Sequence, residues 1–140
     1  MTTHGIGGPL ISVDYESLRR VQSEEIRMLW IHDYYDGPLS GMLVYNGTKC
    51  WYECSDMTSK GSGNAVWRYV IRQLDDAQAA DEERWHALFV EHVGDHWTIH
   101  DDGQRGTVRP VSEHAKFYDA YSKRAPVDYS GCPIVGWFEM

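Results

Sequence analysis

The sequence predicts an α+β fold, an antiparallel sheet of about five strands packed by one long and one shorter helix. Three observations carry that prediction. Residues 26–55 hold β-formers with both turns spelled out, residues 77–93 have helical periodicity, and the tail at 132–139 is too apolar to be left undocked.

Taken in order, Gly5, Gly7, Gly8 and Pro9 make residues 1–10 a flexible arm on a single domain covering 1–140. Asp14 reads as the N-cap of a short helix to about Ser23, with Val13 and Leu18 as a hydrophobic staple. The meander follows. Its first turn is Asp36-Gly37-Pro38, and its second is Asn46-Gly47, a pair that tolerates positive φ at both central positions. That second turn fixes the register, so Tyr45 opposes Thr48, Leu43 opposes Cys50 and Gly41 opposes Tyr52.

Residues 56–64 are a loop by composition, and a fourth strand is expected over 66–74. Asp75 and Asp76 can cap the long helix, 77–93, whose apolar positions are Trp85, Leu88, Phe89, His92 and Val93, with Asp81, Glu82 and Glu83 on or near the outer side. Gly94 ends it. Two short strands are expected at Trp97–His100 and Thr107–Val111, then a helix at 113–124 capped by Ser112 and stopped by Pro126. The last strand is 132–139.

Strand alternation puts Leu43, Tyr45, Cys50, Tyr52 and Cys54 on one face and Met42, Val44, Lys49, Trp51 and Glu53 on the other. The Leu43 face is the better core. The opposite face is expected to be partly open, because Trp30, Trp51, Trp67 and Trp137 all fall on strands and cannot all meet one helix-covered core.

Composition narrows the function classes. Residues 61–105 hold nine acids against four bases, the centre of a net charge of −8. That argues against a nucleic-acid binder, whose affinity comes from Lys and Arg displacing counterions, and leaves open a basic protein partner. Cys50, Cys54 and Cys132 form no C-x-x-C pair, which suits free thiols in a reducing compartment. No signal-peptide pattern and no membrane-length apolar run are present, so a cytoplasmic protein is expected.

Two polar constellations bear on chemistry. His32, Asp33, Tyr34, Tyr35 and Asp36 gather where the first strand meets its turn, a place where imidazole and carboxylates can bind a partner or ligand or act as acid and base. His92 and His96 have the i, i+4 spacing of a transition-metal site, with His100 beyond, although Gly94 interrupts them and no carboxylate ligand is fixed. No cofactor motif is evident, and no phosphate-binding loop, nucleophile elbow or dinucleotide fingerprint occurs.

The reading that follows is a small acidic binding protein of the inhibitor, immunity or accessory kind. It would present an acidic, aromatic-rich surface, including Trp51 and the residues around His32, to a protein partner. The alternative is a small-ligand protein or metal-dependent enzyme using His32, Asp33 and Asp36 with the His92, His96 and His100 region. A homo-oligomer joined through the open sheet face or the tail strand is the third class.

Overall fold

The computed structural model describes residues 10–57 and 66–140. Among these, the strands are β1 (Ile26–Tyr34), β2 (Pro38–Tyr45), β3 (Thr48–Asp56), β4 (Arg68–Arg72) and β5 (Ile134–Glu139), and the α-helices are α1 (Asp76–His92) and α2 (Val111–Tyr121). The strands form one antiparallel sheet in chain order, so the fold class agrees with the pattern of the sequence. All but Leu10 of the arm expected at 1–10, and most of the loop expected at 56–64, lie outside the described residues, and Leu10 N–H donates to the Ser55 carbonyl at 2.8 Å.

Asn46 and Gly47 take φ of 53° and 72°, as the turn requires, and the register is the one this pair dictates: Tyr45 with Thr48, Leu43 with Cys50, Gly41 with Tyr52. The Leu43 face is a true core. Leu43, Tyr45, Cys50, Tyr52, Cys54, Tyr69, Ile71 and Phe138 are all buried there, and Val21 and Met57 complete the cluster. The stacked rings of Tyr69 and Phe138, 5.1 Å apart, span β4 and β5 within it.

The helices lie on the other face. Trp30, Met42 and Trp51 are buried with Leu74 on the Met42 face, packed by Ala79 of α1 and by Val127 and Tyr129 of the segment returning to β5. The expected open face is therefore covered. Strand alternation hid this, because Lys49 and Glu53 flank Trp51 and gave that face a polar look. Trp51, expected to meet a partner, is only 4% exposed and serves as packing.

Three further expectations change. The helix placed after Asp14 is two short 3₁₀ turns, Tyr15–Ser17 and Ser23–Glu25, and Asp14 makes no side-chain cap. So thin an apolar face gives a longer helix nothing to pack on. The strands placed at 97–100 and 107–111 are isolated bridges, Trp30 with Thr98 and Gly94 with Val108. Pro110 rather than Ser112 precedes α2.

Both sheet edges are occupied. Ile31 N–H donates to the Trp97 carbonyl and Ile99 N–H to the Leu29 carbonyl, each at 2.9 Å, which covers β1. On β5, Val21 N–H donates to the Trp137 carbonyl at 2.7 Å and Trp137 N–H to the Arg19 carbonyl at 3.0 Å. At those positions another chain has no ladder to extend.

The pairing of β1 with β2 slips between Met28 and Trp30 and again between Ile31 and Asp33. The first slip switches faces: Met28 packs on the Leu43 core, whereas Trp30, and His32 two residues on, face the helix-covered side. Gly41 makes room for this: a Cβ there would lie 2.2 Å from the Trp30 carbonyl oxygen and 2.7 Å from the Tyr52 hydroxyl. Gly41→Ala should therefore lower stability by about 1–3 kcal/mol. Urea unfolding would register it as a lower midpoint at unchanged slope, and an unmoved midpoint would mean that the bulge yields freely.

Candidate functional site

The capping box that starts α1 aims its functional face. Asp75 accepts from Gln78 N–H at 2.7 Å while Gln78 Oε1 accepts from Asp75 N–H at 2.9 Å, so the helix begins at a fixed phase. From there Glu82, Trp85, His86 and Phe89, at i, i+3, i+4 and i+7, turn toward the sheet and α2. This is not the stripe that apolar periodicity alone selects. Glu82, expected near the outer side, is 1% exposed.

A buried carboxylate needs partners, and Glu82 has two. Its Oε2 accepts from Arg124 Nη2 at 2.6 Å and from the Tyr129 hydroxyl in a short bond. Arg124 also bonds Asp81 Oδ2 at 3.0 Å, and its guanidinium lies 5.5 Å from the Trp85 ring centre and 5.7 Å from that of Tyr121. Burial works against the charge on Arg124, but the Glu82 carboxylate outweighs it and holds the guanidinium firmly protonated.

Beside this ion pair, β1, α1, α2 and Trp97 enclose a cleft of about 290 Å³. Its walls are rings: Trp30, Trp85 and Trp97, with Phe89, Phe117 and Tyr121. His86 stacks on Trp30 with centroids 4.0 Å apart and planes 4° from parallel, and its Nε2 lies 3.0 Å from Thr98 Oγ1. His32 sits edge-on to Trp51 at 5.1 Å, with Nε2 2.8 Å from the Tyr121 hydroxyl. Burial lowers the pKa of both imidazoles, that of His86 to about 4, so both are neutral at pH 7. Tyr34, in tilted contact with Trp97 at 5.1 Å, and Tyr118 are each 49% exposed and form the rim.

The sequence-predicted residues part company here. His32 enters the cleft wall, with Asp33 and Tyr34 at its edge. Tyr35 and Asp36 stay exposed in the turn, where Asp36 has a φ of 56°. His92 and His96 do not share a helix face, because α1 ends at His92 and Gly94 turns the chain at φ 139°. His92 pairs with Glu91 at 3.0 Å and His100 with Asp95 at 3.1 Å. Among the described residues no group of three or more His, Cys, Asp or Glu side chains is arranged to hold a metal ion.

Sequence reasoning missed Glu82, Trp85, His86 and Phe89 as a set. The usable signal was a glutamate at helical spacing with three rings. It was masked by neighbouring acids that suit the first turns of any helix. No family model, curated protein or solved structure matches the chain significantly. Among the described residues no helix is long and apolar enough to cross a membrane.

Two predictions follow from this geometry. Glu82→Gln removes the charge opposite a largely buried Arg124 and should destabilise the fold by roughly 3–5 kcal/mol. The double variant Glu82→Leu with Arg124→Met should recover most of that loss, and additive losses in a double-mutant cycle would mean that the two side chains act independently.

The second concerns acid. His86 titrates near 4 when folded against 6.5 for the free side chain, so the unfolded chain takes up the proton first as pH falls. The stability contributed by neutral His86 is complete above about pH 6.5 and is lost toward pH 4, at no more than ~1.4 kcal/mol per pH unit. His32 is depressed in the same direction and adds to the trend. Denaturant midpoints across this range should fall less steeply in His86→Phe, and equal slopes would remove His86 as a source.

Proposed function

We propose that this protein binds a small molecule in the cleft between the Met42 face of the sheet and helices α1 and α2. One observation carries the reading: rings from β1, both helices and the Trp97 segment converge on a concave space with a few fixed polar groups, the composition that small-ligand sites share. All six tryptophans lie among the described residues and none is exposed, while three of them line this cleft. That favours a ligand over adhesion through spare indoles. Glu82, the buried carboxylate at the cleft, is committed to Arg124 and Tyr129, so binding is better supported than catalysis.

A thermal-shift screen with small fragments tests the proposal. Hits should raise the melting temperature of the native chain and lose their effect in Ile31→Trp, which fills the cleft from β1. A screen without hits, or hits that stabilise Ile31→Trp equally, would remove the cleft as the binding site.

A second reading keeps a basic protein partner. Tyr34 and Tyr35 are 49% and 44% exposed beside the exposed Asp33 and Asp36, a compact patch with rings and negative charge. The acidic middle segment supports it less than its charge count suggests. Asp81 pairs with Arg84, Glu83 with Lys49 and Glu82 with Arg124, and Asp75, Asp95 and Asp102 accept backbone N–H bonds, leaving Asp76, Glu91 and Asp101 as the more open charges. A stoichiometric partner that co-purifies with the native chain should be lost with the double variant Tyr35→Ala and Asp36→Asn, and its association should slow as salt rises. Retention by the variant would exclude the patch.

A further inference from the structure

We infer that the cleft selects an uncharged, planar heteroaromatic ring, one or two fused rings in size, with hydrogen-bonding edges. The inference rests on the small-molecule reading above and specifies the chemistry of the occupant.

Charge decides first. The ionisable carboxyl groups at the cleft are Glu82 and Asp33. Glu82 is saturated by Arg124 and Tyr129, and Asp33 sits exposed at the edge, accepting from Tyr34 N–H at 2.9 Å. An anionic ligand would meet two carboxylates. A cationic one would give up its hydration for a carboxylate that already has two donors. Either ion would lose several kcal/mol of solvation, and among the residues that line the cleft no unengaged opposite charge replaces it; Arg124, whose Nη1 has no hydrogen-bond partner, is not part of the lining. A neutral ligand avoids that cost.

Shape decides next. Trp30 and His86 each cover one face of the other, and Trp85, Phe89 and Trp97 line the space beside them, so the ring-built walls favour a flat guest that can meet ring faces or edges. The volume of about 290 Å³ lies at the lower end for ligand cavities, enough for a single or fused ring and too small for a nucleotide or a folded peptide segment.

The polar groups then require heteroatoms. His32 has both nitrogens engaged, Nε2 by the Tyr121 hydroxyl at 2.8 Å and Nδ1 by that of Ser40 at 3.3 Å, whereas His86 enters as a neutral imidazole oriented through Nε2 by Thr98, which leaves Nδ1 for a guest. A hydrocarbon ring would cover His86 without bonding it, whereas a ring N–H, ring N or exocyclic carbonyl can pair with its remaining nitrogen and with the hydroxyls of the wall.

Calorimetric titration of the full chain tests the class, using indole and adenine as neutral rings and indole-3-carboxylate and tryptamine as charged counterparts. The expected result is measurable binding of the neutral pair, with the charged pair weaker by about tenfold or more, since that ratio corresponds to only ~1.4 kcal/mol. Tyr34→Ala, a half-exposed rim change that spares the core, should weaken the neutral pair by about threefold or more. Naphthalene, matched in size, should bind more weakly than indole.

Tighter binding of tryptamine or indole-3-carboxylate than of indole would overturn the inference while leaving the cleft as a site. So would fragment hits from other classes with no affinity for any neutral ring. An empty fragment screen together with no binding of any probe would instead bring down the small-molecule reading itself.

Discussion

A single buried carboxylate sets the spacing of the helices. Glu82 rides on α1, Arg124 follows α2, and Tyr129 belongs to the segment returning to β5, so one side chain ties three parts of the chain to a common point. The net stability of such a group is small, because desolvating two charges consumes most of what their attraction returns. Its geometric demand is strict all the same. Two leucines can slide past one another at little cost, whereas a carboxylate that moves an ångström from its guanidinium leaves a buried charge unsatisfied. The ion pair therefore acts as a strut, and the cleft beside it persists where a purely apolar interface could settle inward and fill it.

The sheet contributes the opposite wall by departing from regularity. Were β1 a plain strand, its side chains would alternate between faces without interruption. A slip in register between Met28 and Trp30 breaks the alternation, so that Met28 stays with the Leu43 core while Trp30, and His32 two residues on, face the helix-covered side; the tight approach of Trp30 to Gly41 leaves no room for a larger residue on β2. The same strand is steadied along its free edge by residues 97–99. That pairing carries Trp97 to the rim beside Tyr34 and holds Thr98 where it can meet His86. Edge protection and cleft construction thus come from one segment.

Local rules made most of the fold legible and little of the site. Asn46-Gly47 dictates its hairpin because only a few residues accept left-handed φ twice in succession, and Asp75 with Gln78 marks a helix start for equally local reasons. Choosing which face the helices cover is a different problem. Met42 and Trp51 hide among Val44, Lys49 and Glu53, so the pattern favoured the Leu43 face, and both faces proved to be cores. The site is harder still to read. Glu82 and Arg124 are 42 positions apart, and no local periodicity distinguishes an acid that seeks a distant guanidinium from one that favours a helix dipole. His32 was picked out for its neighbours at the turn, yet the face switch after Met28 puts it, with Trp30, inward against Tyr121 while Tyr35 and Asp36 remain outside.

The aromatic content, 13% of the chain, takes on a different meaning once the rings are located. A surplus of large rings can fill a core, coat a docking surface or line a recess, and composition alone does not separate these uses. Here Tyr52, Tyr69 and Phe138 fill the Leu43 face, while the second cluster meets on the Met42 face and stops short of filling it. Rings surrounding a space forgo the dispersion contacts that complete packing would give them. In this chain the shortfall sits beside a charged strut that resists closure and against two imidazoles kept neutral by burial. A recess maintained at some cost in contacts, with its polar groups oriented in advance, is the condition under which a flat neutral guest restores what packing left unmade.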